Sequence, residues 1–114
     1  MKHKLERYTR DLTELDKLEE YLKENDFNYE RKDYEKGGET VSGEPMDWHQ
    51  IRVYKDDVQI WDVVCHYGSY GSERGMLEGS GEIFRGDVEG WLTAADVIRK
   101  IEIGGRDERG KDFN

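Results

Sequence analysis

One cysteine, one proline and a hydrophobic fraction of only 34% close several routes to stability and function in this 114-residue chain. A lone thiol, Cys65, has no partner for an intrachain disulfide, so a reducing compartment such as the cytoplasm is expected. No apolar run approaches the roughly 20 residues of a membrane span, and the opening MKHKLERYTR lacks the apolar middle of a signal peptide, so neither anchoring nor export is predicted. No Gly-Lys-Ser/Thr is present, and Gly79-Ser80-Gly81-Glu82-Ile83-Phe84 puts Phe where the dinucleotide fingerprint needs its third glycine. Without a His-x-His or Cys-x-x-Cys pair to seed a metal site, no cofactor is predicted.

Charge is abundant. The chain holds 27 acidic and 18 basic residues, a net charge of −9. Residues 1–23 carry six of each sign and 91–114 five of each, whereas 24–55 carry eight acids against five bases and 56–90 eight against two. The excess therefore gathers in the middle, where it repels phosphate backbones and attracts basic proteins. Direct nucleic-acid binding is not expected. Acids also keep small proteins soluble, and that is the plainer explanation of such an excess. With so little apolar content the core must be thin, one sheet face covered by the stripes of a helix or two.

Leu12, Leu15, Leu18 and Leu22 recur at three- and four-residue spacing, which predicts an amphipathic helix over residues 11–24, with Leu5 and Tyr8 extending it backwards. Thr13 with Asp16, or Asp11 with Glu14, would cap its start, and Asn25-Asp26 would end it. Residues 27–34, charged and tyrosine-bearing, suit an edge strand protected against aggregation, and 35–46 read as a glycine-rich loop. Trp48 to Gly68 holds two β-branched and aromatic runs parted by Lys55-Asp56-Asp57, a hairpin pattern. A two- or four-residue connection puts His49, Ile51, Val53, Val58, Ile60, Asp62 and Val64 on one face. A three-residue connection instead brings Trp61, Val63 and Cys65 to the side of Ile51 and Val53. The first register is preferred because it keeps the aliphatic residues together. HYGSYGSERG (66–75) is a loop, 76–84 a strand with Gly79 and Gly81 marking a bulge or a close backbone contact, and 85–87 a turn. Thr93 and Asp96 form a capping box for a last helix that Gly104-Gly105 should stop.

The fold class expected is α+β in two layers, an antiparallel sheet of about four strands with a helix at each end of the chain. Residues 1–104 form one domain and 105–114 a charged, flexible tail.

Few residues invite chemistry. Cys65 and His66 are adjacent on a strand and point to opposite faces, so they cannot act as nucleophile and base, and a buried structural cysteine is the simpler reading. His49, Asp62 and His66 share a face in the preferred register, a set with metal-binding potential but without close-spaced ligands. These residues carry the rival hypothesis of a small metal- or cysteine-dependent enzyme.

WHQIRVY, IWDVVCHYGSYG, GMLEGSGEIF and GWLTAADVIRKIE, in that order over residues 48–103, resemble small acidic proteins of phages and prophages of Gram-positive bacteria. The resemblance carries no catalytic residues. It implies an inhibitor of a host protein, similar in size and charge to anti-CRISPR proteins, acting in the bacterial cytoplasm. The expectation is thus a non-enzymatic protein that occludes a basic nucleic-acid-handling surface, with DNA mimicry as one means, on a partner such as a CRISPR nuclease. Asp56, Asp57, Glu73, Glu78 and Glu82 would supply charge and Trp61 and Tyr70 aromatic anchors. The third reading is a homo-oligomeric accessory phage protein.

Overall fold

Leu15, Leu18 and Leu22 are wholly buried in a computed structural model of the chain, on a helix α1 that spans Thr13–Glu24. The structure describes residues 10–34, 38–41, 46–84 and 88–113, with side chains to residue 103. Leu5, Tyr8, the turn at 85–87 and parts of the 35–46 loop lie outside the described residues. The helix opens without a side-chain cap at Leu12; instead Asp11 Oδ1 accepts from the Thr13 N–H at 2.9 Å. That hydrogen bond, the main cause, holds the Asp11 carboxyl below its usual range. At the other end the Asn25 side chain donates to the Tyr21 carbonyl and Asp26 turns left-handed, φ 59°.

Five strands follow: β1 Asn28–Tyr34, β2 Trp48–Lys55, β3 Val58–Val64, β4 Leu77–Gly81 and β5 Glu89–Leu92. They form an antiparallel meander in chain order, β1-β2-β3-β4-β5. β1 sits at the edge, as its charged sequence predicts. A 3₁₀ turn at Ser72–Arg74 lies in the β3–β4 connection and another, Glu82–Phe84, follows β4. Helix α2, Ala94–Phe113, closes the chain. Its capping box is present: Thr93 N–H donates to Asp96 Oδ2 at 2.9 Å and Asp96 N–H to Thr93 Oγ1 at 3.1 Å. The Ala94 N–H donates to Glu14 Oε1 at 2.7 Å, so α1 supplies a second cap to α2.

The α+β class is as expected, with one refinement and two corrections. The sheet has a fifth strand, β5, too short at four residues for a periodic signal. The last helix runs past the stop predicted at Gly104-Gly105, to Phe113. Glycine inside a helix costs about 1 kcal/mol relative to alanine, a local preference too weak to end one by itself. The hairpin has the two-residue connection expected, but its faces are those of the other arrangement. Lys55 pairs with Val58 across a two-residue turn whose Asp56 and Asp57 both have positive φ, 53° and 67°, as a type I′ turn requires. Beyond it Tyr54 pairs with Gln59 but Val53 with Trp61, leaving Ile60 as an extra residue. This bulge shifts every later side chain to the other face. Ile51, Val53, Trp61, Val63 and Cys65 therefore share the helix-facing side with Leu77, Leu92 and Phe84 in one core.

Trp61 explains the choice. Its ring is fully enclosed, edge-on to Phe84 at 6.1 Å and 79°, and enclosing that much aromatic surface outweighs gathering aliphatic residues that leave Val58 at an exposed strand end. Phe84 lies over Gly79, where a Cβ would come within 2.2 Å of its ring; this is the close contact that the glycine marks.

Candidate binding surface

The buried polar side chains of Asp47 and His49 are committed to structure. Arg10 grips Asp47, its Nη2 2.7 Å from Oδ1 and its Nε within 3.2 Å of both carboxylate oxygens. Asp47 Oδ2 lies 2.7 Å from His49 Nε2, and His49 Nδ1 2.6 Å from Asp33 Oδ1. Arg31 continues the chain to Asp33 at 3.2 Å, Asp16 at 2.7 Å and Glu19 at 2.9 Å, and Tyr29 donates to Glu19 at 2.9 Å. A carboxylate thus faces each nitrogen of the His49 ring. Burial by itself would raise the carboxyls of Asp33 and Asp47. The hydrogen bonds from His49 and Arg31 to the first, and from Arg10 and His49 to the second, outweigh it and hold both below the usual range. Burial likewise works against the charge on Arg31, but its three carboxylates outweigh it and raise its pKa.

This network locks β1, β2, α1 and the segment before α1 together. It leaves no free base and no open ligand site: His49 is 1% exposed, and no group of three His, Cys, Asp or Glu side chains among the described residues is placed to hold a metal ion. Asp62 lies on the outer face, accepting from Gln50 at 2.8 Å, and His66 stacks on Trp48 at 4.3 Å, so the set His49, Asp62 and His66 does not assemble. Cys65 does come opposite His49, its N–H donating to the His49 carbonyl at 2.9 Å. Its thiol, however, is buried, which pushes its pKa up to about 11, and it points at the Asp11 carbonyl. A thiol that stays protonated at neutral pH is a poor nucleophile.

The surface is more informative. In an antiparallel meander the end of β1, the start of β2, the end of β3, the start of β4 and the end of β5 meet on one side. The exposed aromatic side chains among the described residues, Tyr34, Trp48, Tyr67, Tyr70 and Trp91, all sit there, between 42% and 61% exposed. Their support is rigid. Loop 66–76 is laced by backbone bonds from Ser69 to His66, Ser72 to Ser69, Gly75 to Ser72 and Met76 to Gly71. Ser69 Oγ is bonded to both backbone groups of His66, and Arg10 Nη1 reaches the Ser72 carbonyl at 3.4 Å. Glu78 accepts from the Tyr70 N–H at 2.8 Å. Gly90 lets the loop close on β5, since a Cβ there would lie 2.2 Å from the Tyr70 Cβ. Beside it Trp91 holds a left-handed backbone, φ 59°, which costs an ordinary residue about 1 kcal/mol.

The predicted site residues divide between the two ends of the sheet. Asp56, Asp57 and Glu82 are exposed at the hairpin-turn end, while Tyr70 and Glu73 are exposed at the aromatic end, roughly 20 Å away along the strands. Glu78 is at the aromatic end but already bonded to the loop. Trp61 is withdrawn from the set: at 2% exposed it is core and cannot anchor a partner. Of the aromatic residues at this end only Tyr70 was expected as an anchor; Tyr34, Trp48, Tyr67 and Trp91 join it because strand pairing brings them together. No protein-family model, curated protein or solved structure matches this chain.

Proposed function

We propose that this is a non-enzymatic acidic binding protein whose aromatic end docks on a basic, nucleic-acid-handling protein and occludes its charged surface. The observation that carries the reading is the collection of exposed aromatic rings at one end of the sheet, three on strands and two, Tyr67 and Tyr70, on a loop held by internal hydrogen bonds. Rigid aromatics lose little conformational freedom on binding and dominate contact energies. A net charge of −9 supplies the attraction to a basic partner. Asp56, Asp57 and Glu82, at the far end, act on approach rather than in the aromatic contact, while Glu73 stands beside Tyr70. Mimicry of a phosphate backbone calls for a continuous row of carboxylates, so occlusion is preferred over DNA mimicry. A CRISPR nuclease fits this partner chemistry as one member of a broad class.

The test is capture of bacterial proteins at low and high salt by the wild type, by Tyr70→Ala/Trp91→Ala and by Asp56→Lys/Asp57→Lys. A basic protein retained by the wild type, released by salt and held at least roughly tenfold more weakly by the aromatic double variant supports the reading. Retention indifferent to salt and to both variants overturns it.

A further inference from the structure

We infer that two copies of this chain pair through β1, antiparallel about a two-fold axis at Arg31. β1 is at the edge of the sheet, and its main chain has one side to offer. Cys65 N–H donates to the His49 carbonyl and Tyr67 N–H to that of Asp47, so the odd-numbered residues at the start of β2 turn their backbone groups to β3. Trp48, Gln50 and Arg52 therefore turn theirs to β1. Since Gln50 faces Lys32 and Arg52 faces Glu30, Glu30 and Lys32 are bonded within the sheet, while Tyr29, Arg31 and Asp33 direct N–H and C=O outward.

A second β1 laid antiparallel with Arg31 opposite Arg31 pairs Tyr29 with Asp33 and Asp33 with Tyr29 through those outward groups. Between them, at the pairs where side chains approach most closely, Glu30 of each copy meets Lys32 of the other. Shifting the register by two residues either way shortens the overlap and removes both charge matches. The charges that ordinarily keep a strand edge from pairing are here complementary to themselves. The two arginines on the axis do not oppose this, because each is folded back on its own Asp16, Glu19 and Asp33 at 2.7, 2.9 and 3.2 Å. The product is a continuous ten-stranded sheet, five strands from each copy, with the two aromatic ends pointing in opposite directions. This pairing is independent of the function proposed above.

Sedimentation equilibrium of the full chain over a wide concentration range, at physiological salt, tests it. The wild type should dimerise. Glu30→Lys alone and Lys32→Glu alone each set like charges opposite one another twice, and should raise the dimer dissociation constant by roughly tenfold. The exchanged pair Glu30→Lys/Lys32→Glu restores the match and should recover wild-type affinity, and circular dichroism melts of each variant confirm that it is folded. A wild type that stays monomeric throughout overturns the inference. So does a dimer indifferent to the single reversals, or one that the exchanged pair fails to restore.

Discussion

Cys65 and Gly79 show how single residues are spent on packing. The Cys65 thiol, enclosed by the core and raised to about 11 by burial, is inert while the chain is folded. An aromatic disulfide reagent at pH 8 should therefore leave the native protein unmodified and titrate one thiol once denaturant is added; prompt reaction of the native protein would reopen a catalytic role. At Gly79 the limit is space. A methyl group there meets the Phe84 ring, which is wedged against Trp61 and has nowhere to go. Gly79→Ala should lower stability by about 2 kcal/mol in urea unfolding. No loss would mean that Phe84 can move. The thiol's burial was legible from its apolar neighbours in sequence, whereas the ring that needs Gly79 to be bare is known only from the turn that follows β4.

At the scale of elements, legibility followed distance along the chain. The leucine stripe of α1 and the Thr93–Asp96 box of α2 depend on residues within a turn or two of one another, and both were read correctly. The β2–β3 hairpin was located but given the wrong core face, because the bulge at Ile60 answers to Trp61's need for a core contributed by Phe84 and the helices. Its turn offers a test. Asp56-Asp57 occupies two left-handed positions that Asn-Gly fills with less strain. Asp56→Asn/Asp57→Gly should stabilise the protein by about 0.5–1 kcal/mol in thermal melts without altering tryptophan emission. A red shift would show that the register had slipped and put Trp61 in water, and hence that the turn rather than the core sets the pairing. β5 escaped detection because four residues are too few for a period, and its Glu89 is anchored by Lys100 of α2 at 2.8 Å, a contact no local pattern announces.

Across the whole molecule the chain of paired charges from Arg10 to Glu19 sets the response to acid. Asp33 and Asp47 have lowered pKa values in the folded state, so the stability they contribute is fully present above the ordinary carboxylate pKa of about 3.9 and is lost as pH falls through their lower folded values. Urea midpoints should be level from neutral pH down to about 5 and drop steeply below about 4. Asp47→Asn replaces a buried carboxylate that both His49 Nε2 and the Arg10 guanidinium contact; it should cost about 3 kcal/mol at pH 7 and flatten the acid drop. A variant as stable as the wild type at pH 7 would show that the network is dispensable. None of this network was foreseen, since its members are drawn from four separate segments and look in sequence like ordinary surface charge.

Composition and short-range pattern were enough to determine an acidic α+β domain with an N-terminal helix, a central hairpin, a charged edge strand and a capped final helix, because those features rest on neighbours a few residues apart. Tertiary structure alone decided which hairpin face became core, that the middle carboxylates part to opposite ends of the sheet, and that five scattered aromatic residues share one end. The physical reason is common to all three: each depends on strand pairing and on competition for a single thin core, energies that exist only between segments far apart in the chain.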